Sequence, residues 1–184
     1  MIWPILSRLN ALTTVGLYAL AAVALSAFLS THFLEKTTDV SLTVKKAVVK
    51  NIPEFRYDKT KNDAAFITFD IELDTEKLWN WNMKQLYLWV QVDYQTSKND
   101  LNEVTIWDKI IKRKHLKNKS KVLKYKGIKN KYYFFDDGNG LLNNDNMTLT
   151  LHWNAVPNAG HFWLVEGRGS HKFQMPNEYT QGRF

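Results

Sequence analysis

Five histidines are the first candidates in this chain for metal binding or proton transfer: His32, His115, His152, His161 and His171. Their spacing matches neither H-E-x-x-H nor H-x-H, the patterns that bring two imidazoles to one metal ion. The chain has no cysteine, which excludes thiolate-bound zinc, iron–sulfur clusters and disulfides. We therefore expect neither a metal nor a cofactor. His152 falls on the polar face of a predicted strand, where we expect a surface role.

A serine nucleophile is the other candidate for catalysis. The sequence contains no G-x-S-x-G elbow and no phosphate-binding loop. A Ser–Lys dyad needs only two side chains that meet in space, so the sequence leaves that pairing open. The serines beyond the apolar N-terminal region lie in polar stretches or in an alternating strand. They are Ser41, Ser97, Ser120 and Ser170. We predict that the chain has no catalytic residue and is not an enzyme.

Two N-x-S/T sequons are candidate modification sites. They begin at Asn118 (Asn-Lys-Ser) and at Asn146 (Asn-Met-Thr). Oligosaccharides are attached to this motif in secreted or lumenal segments. Both residues are predicted glycosylation sites if this part of the chain is translocated.

The apolar N-terminal segment predicts that translocation. Residues 11–29 read ALTTVGLYALAAVALSAFL, and no charge lies between Arg8 and Glu35. Nineteen helical residues are about 28 Å long, close to the roughly 30 Å of bilayer hydrocarbon. A helix satisfies its own backbone hydrogen bonds and can therefore lie in lipid. We predict an uncleaved signal anchor that spans the membrane at residues 11–31.

A cleaved signal peptide is the alternative, because Ala22-Val23-Ala24 offers small residues at the cleavage spacing. The chain would then be a secreted or lumenal β-sandwich binding protein. The apolar segment is longer than the usual h-region of about 7–15 residues, which favours the anchor. Arg8 and the α-amino group are positive, whereas the charges just after the span nearly cancel. The positive-inside rule thus predicts a type II protein, with residues 1–10 in the cytosol and 32–184 in the lumen.

Residues beyond the span indicate a mostly β domain. Apolar and polar residues alternate with period two, the pattern of strands with one buried face. The alternating segments are residues 40–44, 66–73, 86–94, 104–110 and 147–154, with further candidates at 132–135, 162–165 and 171–173. Several short strands without intervening long helices favour a β-sandwich.

Local signals predict the connections between these strands. A helical turn is expected at residues 75–79, with Asp74 or Thr75 as its cap. Residues 136–140 read DDGNG, and Pro157 and Gly160 bracket another loop. The acids of DDGNG could suggest calcium, but the ligand series of an EF-hand is absent, so a plain turn is favoured.

Tyr87 and Trp89 lie opposite the apolar face of residues 86–92. Large aromatic side chains on an outward face are unusual for an isolated domain. We expect either that this face packs on a partner protein or that loops of the same chain cover it.

Charge is concentrated in one basic segment, residues 109–131. It holds eleven Lys or Arg residues and no acid, and without it the net charge changes from +7 to −4 (7 − 11). A solvated, self-repelling loop is the favoured interpretation. Attraction to lipid headgroups or to an acidic partner is the alternative. A lumenal location would exclude nucleic acid as a partner.

Five ordered blocks of this sequence resemble the third subunit of the eukaryotic signal peptidase complex, the 22/23 kDa subunit family. The blocks are FITFDI (66–71), WNMKQLYL (81–88), WDKI (107–110), KYYFFDDGNGL (131–141) and NMTLTLHWNAVPNAG (146–160). They cover most of residues 66–160, and the N-terminal anchor also matches the family layout.

The resemblance implies a non-catalytic, single-pass subunit of the endoplasmic reticulum membrane with a lumenal domain. In such a complex the partner subunit supplies the serine-protease chemistry that removes signal peptides. This chain would associate with that catalytic subunit and with the other subunits, and would support their activity. The glycosylation site of the family corresponds to Asn146.

Overall fold

A computed structural model of the protein describes residues 2–53, 60–115 and 121–181. It begins with one long apolar helix, α1 (Ile2–His32), which contains the predicted span. Residues 2–26 of α1 are exposed. The hydroxyls of Thr13 and Ser26 donate to helix carbonyls one turn earlier, at 2.9 and 2.8 Å. These polar side chains therefore satisfy their hydrogen bonds inside the helix, as lipid requires.

In the described residues, eight strands follow the helix and form two antiparallel sheets. The strands are β1 (Val40–Pro53), β2 (Lys61–Asp74), β3 (Met83–Tyr94), β4 (Asn102–Lys112), β5 (Val122–Lys129), β6 (Phe134–Phe135), β7 (Met147–Pro157) and β8 (Trp163–Phe173). The first sheet has the order β1-β2-β5, and β6 also pairs with β2. The second sheet has the order β4-β3-β7-β8. The sandwich predicted from the alternating patterns is confirmed.

The core lies between the inner faces of the two sheets. Apolar residues at alternate positions of β2, β3 and β7 are at most 2% exposed. They include Ile67, Phe69, Ile71 and Leu73, then Leu86, Leu88, Val90 and Val92, then Leu149, Leu151 and Trp153. These are the faces that period two predicted, because neighbouring side chains of a strand point to opposite sides of the sheet. Tyr87 and Trp89 face outward and are half-buried.

The two sheets meet closely where β1 begins beside β8. Gly169 has φ +137°, and a Cβ there would lie 2.3 Å from the Val40 carbonyl oxygen. Glycine is required at such a position, since any side chain would collide with backbone. Beside it, Arg168 donates to Asp39 at 3.0 Å and to Glu35 at 3.1 Å. The chain that leaves α1 is thus attached to β8 before it enters the first sheet.

The structure differs from the sequence predictions in three places. The basic segment is not a loop where it is described: it contains the end of β4, a 3₁₀ turn (Arg113–His115) and the whole of β5. The two candidate strands at 162–165 and 171–173 are one strand, β8, and β6 holds only the last two residues of 132–135. The helical turn expected at residues 75–79 is confirmed as a 3₁₀ turn, Glu76–Leu78, and the Asp74 carboxylate accepts the Glu76 N–H at 2.9 Å.

The DDGNG loop is held by buried carboxylates. Asp136 accepts the Gly140 N–H and the Tyr94 hydroxyl, both at 2.9 Å. Asp63 accepts the N–H groups of Leu141 and Leu142, both at 3.2 Å. Backbone N–H groups and side-chain donors therefore engage these carboxylates, and the loop is an ordinary, well-bonded turn.

Candidate functional site: the helix junction and the outer sheet face

A buried asparagine joins α1 to the sandwich. Asn82, which is 1% exposed, donates its side-chain amide to the Thr31 hydroxyl at 3.1 Å and to the Ala159 carbonyl at 2.8 Å. Its side-chain oxygen accepts the Ala159 N–H at 3.1 Å. One side chain thus connects the end of the helix, the entry to β3 and the β7–β8 loop. Buried amides are expensive to leave unpaired, so this set of bonds defines the geometry of the junction.

Aromatic rings surround the last turn of α1. The His32 imidazole makes edge contacts with Phe28, Phe33 and Trp163 at centroid distances of 5.0, 4.9 and 5.2 Å. Lys36 Nζ lies 4.4 Å from the centre of a Trp163 ring and donates to the His32 carbonyl at 2.5 Å. A cation at this position compensates the unpaired carbonyls at the helix C-terminus. Burial lowers the pKa of the Lys36 ammonium.

The helix also packs against the β7–β8 loop at a glycine. Gly160 has φ +112°, and a Cβ built there would lie 2.7 Å from Phe28 Cδ2. Only glycine combines this backbone conformation with so close an approach. The junction therefore leaves little room for α1 to tilt relative to the sandwich.

The junction defines two ends of the domain. The near end, residues 79–83 and 157–163, surrounds the last turn of α1. The far end, residues 95–101 and 141–146, lies at the other end of the second sheet. β3 separates the two ends by twelve residues, or about 40 Å at the usual rise per residue.

The outer face of the second sheet carries a row of stacked rings. Trp89 stacks on Tyr87 at 5.6 Å and on His152 at 5.5 Å. The next row toward the near end adds Ile110 and Leu164, which are 47% and 70% exposed. This outer face, defined by these five residues, is an apolar surface of a kind that marks protein contacts.

The loop after β5 covers one margin of the outer face. Asp108, opposite Trp89 on β4, accepts hydrogen bonds from Lys131 Nζ at 2.5 Å and from the Tyr132 hydroxyl at 2.6 Å. These two bonds, that of Lys131 first, lower the pKa of the Asp108 carboxyl. The rings of Tyr87 and Trp89 remain half-buried. A loop of the chain therefore covers the β4 margin of this face, and the packing of a partner protein on the rest of it stays a prediction.

The histidines and serines considered for catalysis are spread over the molecule. His152 is half-buried on the outer face, as predicted, with Nε2 3.0 Å from the Thr150 hydroxyl. Ser41 and Ser170 occupy exposed strand positions. Ser97 lies in the far-end turn, His161 and His171 lie in or beside β8, and His32 is in the junction. Ser120 and the side chain of His115 lie outside the described residues. Within residues 2–53, 60–115 and 121–181, no three His, Asp or Glu side chains form a group that could hold a metal ion.

The structure describes one of the two predicted glycosylation sites. Asn146 is exposed at the far end, and its side-chain amide, the atom that would carry a glycan, donates to Gln95 Oε1 at 2.7 Å. Asn118 lies outside the described residues.

Several charges of the basic segment are paired. Lys121 and Lys124 form ion pairs with Glu76 and Glu72 at 2.8 and 2.5 Å. Lys109 Nζ lies 4.8 Å from the centre of the Tyr125 ring. Lys109 and Lys124 project from strands, and Lys121 lies just before β5, so the expectation of a self-repelling loop was wrong for the described strands of the segment.

The junction residues were not found from the sequence. Nothing in the local pattern distinguishes Asn82 from other polar loop residues, and Gly160 was assigned only as a turn former. The one available signal was that both lie within the blocks that carry the family resemblance, at 81–88 and 146–160.

Known proteins of one family match nearly the whole chain. The family described as "Signal peptidase subunit" matches residues 2–178. The protein named "Signal peptidase complex subunit 3" from Drosophila melanogaster is 43% identical over 96% of both chains. Its Homo sapiens namesake is 43% identical over 95% of both chains. "Adipocyte-related X-chromosome expressed sequence 1" from Mus musculus is 41% identical over the same share. The chain therefore belongs to the signal peptidase subunit family.

Proposed function

We propose that this chain is a non-catalytic accessory subunit of the signal peptidase complex of the endoplasmic reticulum. It supports the catalytic serine-protease subunit in the removal of signal peptides from nascent secretory proteins, and it contacts the other subunits of that complex. The observation that carries this proposal is the match of helix and sandwich together to relatives named as subunit 3 of that complex. Neither nucleic acid nor a cofactor has a role in it.

The proposed topology is that of a single-pass type II protein. Residues 1–10 are cytosolic, 11–31 cross the membrane and 32–184 lie in the lumen. The charge of Arg8 before the span supports this orientation. The exposed Asn146 also supports it, because a sequon at the far end is about 40 Å from the junction, clear of the bilayer surface. Asn146 is the proposed glycosylation site and Asn118 a second candidate.

The junction suggests how a subunit without catalytic residues assists a protease. The contacts of Asn82, Gly160 and the rings around His32 hold the sandwich in one orientation relative to α1. A sandwich held in this way presents its outer face at a constant height and angle relative to the membrane. A catalytic subunit packed on Trp89 and its neighbours would be held at that height too, which is the arrangement that productive cleavage requires.

The test of this function is replacement in cells. The endogenous subunit is depleted, and variants of this chain are assayed for recovery of signal-peptide cleavage in membranes. The full chain should restore cleavage. A variant in which Ser41, Ser97, Ser120 and Ser170 are all alanine should restore it equally, since the nucleophile belongs to the partner. Loss of cleavage in a folded, assembled serine variant would overturn the non-catalytic assignment. A purified chain that begins after Ala24 would favour the secreted alternative.

A single substitution tests the proposed contact with the catalytic subunit. Trp89→Ala should reduce co-purification of the catalytic subunit in mild detergent, because large aromatic side chains dominate protein interfaces. Tyr133→Ala is the matched control, since Tyr133 is an exposed ring (70%) beside β6 of the other sheet. Equal recovery of the catalytic subunit with both variants would place the contact elsewhere.

A further inference from the structure

The near end exposes apolar rings that the sandwich itself does not use. Phe33 is 88% exposed, Trp81 61% and Phe162 63%. Each adjoins a residue of the junction: Phe33 follows His32, Trp81 precedes Asn82, and Phe162 lies two residues after Gly160. They belong to three separate segments, and each segment meets the last turn of α1.

The contacts of α1 indicate the depth of these rings relative to the membrane. Asn82 is bonded to Thr31, and Gly160 touches Phe28, so both segments lie at the level of residues 28–31. That level is the end of the apolar span at residues 11–31, where a membrane helix leaves the hydrocarbon. Side chains beside it therefore lie at the headgroup layer, where tryptophan and other large aromatic residues are enriched in membrane proteins.

Charge at the near end fits the same environment. Lys84, Lys112 and Lys114 are exposed there. The strand ends and loops at 79–84, 109–115 and 155–164 contain no aspartate or glutamate, and Glu35, which lies two residues after Phe33, is paired with Arg168 at 3.1 Å. Long basic side chains can reach phosphate groups while apolar rings lie deeper, a combination typical of interfacial contact with phospholipid.

We propose that the near end of the sandwich is a lipid-binding surface, with Phe33, Trp81 and Phe162 inserted among the phospholipid headgroups beside α1. The folded domain then rests on the bilayer at three points in addition to its helix. This inference rests on the membrane anchoring proposed above. The occupant is the bilayer and not a protein, because the anchor brings lipid to this surface in every state of assembly.

The absence of cysteine permits a direct test by single-cysteine labelling. Trp81→Cys and Phe162→Cys are each labelled with an environment-sensitive fluorophore in the purified full chain. The chains are reconstituted into phosphatidylcholine vesicles that carry spin-labelled lipid with the quencher near the headgroup. Leu101→Cys is the matched control, since Leu101 is an apolar side chain of similar exposure (62%) at the far end. Gly16→Cys places a label on the helix, at a position where nothing lies within 4 Å of a Cβ. Vesicles whose lipid carries the quencher deep in the bilayer show whether this label lies in the membrane.

We expect the labels at positions 81 and 162 to be quenched several-fold more than the label at 101. Quenching at 16 without extra quenching at 81 and 162 would overturn the lipid contact and leave the anchor intact. Failure of quenching at 16 as well would overturn both proposals. The measurement is repeated on the purified complex. Retained quenching there supports the proposal, whereas shielding of both labels by another subunit would replace lipid with a protein partner.

Discussion

The side-chain amide of Asn82 donates a 3.1 Å hydrogen bond to the hydroxyl of Thr31, and both residues are buried. This bond links the end of an apolar helix to the entry of a central strand 51 residues later. A hydrogen bond, unlike an apolar contact, requires a particular orientation of donor and acceptor. This bond therefore helps to set the angle between the helix and the sandwich.

Asn82→Ala should destabilise the junction. The substitution leaves the Thr31 hydroxyl and both backbone groups of Ala159 without this partner. The Thr31 hydroxyl keeps its bond to the Ala27 carbonyl at 3.1 Å, so the expected cost of about 1–3 kcal/mol comes from the lost bonds and from the half-buried backbone groups of Ala159. Thermal unfolding of the full chain in detergent measures it. Thr31→Val should lose less, because Asn82 keeps its bonds to Ala159. Asn154→Ala, on the outer face, serves as the reference, and an equal loss in the reference variant would refute the role of Asn82.

Gly160→Ala should cost more than an equivalent substitution elsewhere. The new methyl group would lie 2.7 Å from Phe28, in a backbone conformation with φ +112°. Gly127→Ala is the matched control, since Gly127 also has positive φ (+62°) but nothing lies within 4 Å of its Cβ position. The control should lose about 1–2 kcal/mol of unfolding free energy from backbone strain alone.

The extra loss at Gly160 should be relieved when Phe28→Ala is added, since the smaller side chain removes the collision. A double-variant cycle in detergent unfolding experiments measures this coupling. Strictly additive losses would mean that the helix does not pack on this loop in the membrane-embedded protein.

Asn146→Gln should abolish a glycan on the chain. The exposed side chain at the far end is accessible, and its bond to Gln95 is a surface contact that modification can replace. The measurement is gel mobility with and without endoglycosidase after expression in microsomes. Thr148→Ser keeps the sequon and should keep the mobility shift. A shift that survives Asn146→Gln and disappears with Asn118→Gln would move the site to Asn118.

Tyr94 should make the fold sensitive to alkaline pH. Its phenol is 3% exposed and donates to Asp136 at 2.9 Å. Burial first, and then the negative charge of Asp136, raise the pKa of Tyr94 well above its usual value of about 10. Because the pKa is higher in the folded state, the stabilisation is complete below about pH 10 and decreases as the pH rises toward the folded value.

Alkaline titration monitored by phenolate absorbance tests this expectation. The difference between the unmodified chain and Tyr94→Phe should show one phenol that ionises only as the domain unfolds. The same pair in denaturant should show that phenol ionising near pH 10. Ionisation of Tyr94 near pH 10 with the fold intact would contradict its burial against Asp136.

Sequence alone predicted the features that depend on neighbouring residues. The apolar run of α1 and the alternation in β3 are local patterns, because a helix or a half-buried strand imposes its period on each successive side chain. The alternation therefore identified the buried face of Leu86 and Val90 and the outward face of Trp89. The type and position of most strands followed from the same period.

β5 was missed because its pattern is obscured by lysine. Val122, Leu123, Tyr125 and Ile128 are only half-buried, and the residues between them are mostly basic. Such a strand forms because β2 offers a hydrogen-bonding edge and Glu72 to pair with Lys124, while Glu76 in the following turn pairs with Lys121 just before β5. Those partners lie some fifty residues earlier in the chain, so a window over the basic segment contains no sign of them.

What the sequence determined by itself was the kind of molecule: an apolar helix long enough to span a bilayer, followed by strands that bury one face each. Only the tertiary structure decided how the two parts are joined. Asn82, Gly160 and His32 look unremarkable in their own segments, and each obtains its role from a contact with a distant one. The physical reason is that the period of a sequence pattern reports burial along one helix or strand. A junction depends instead on which elements pack together, and no short stretch of the sequence contains that information.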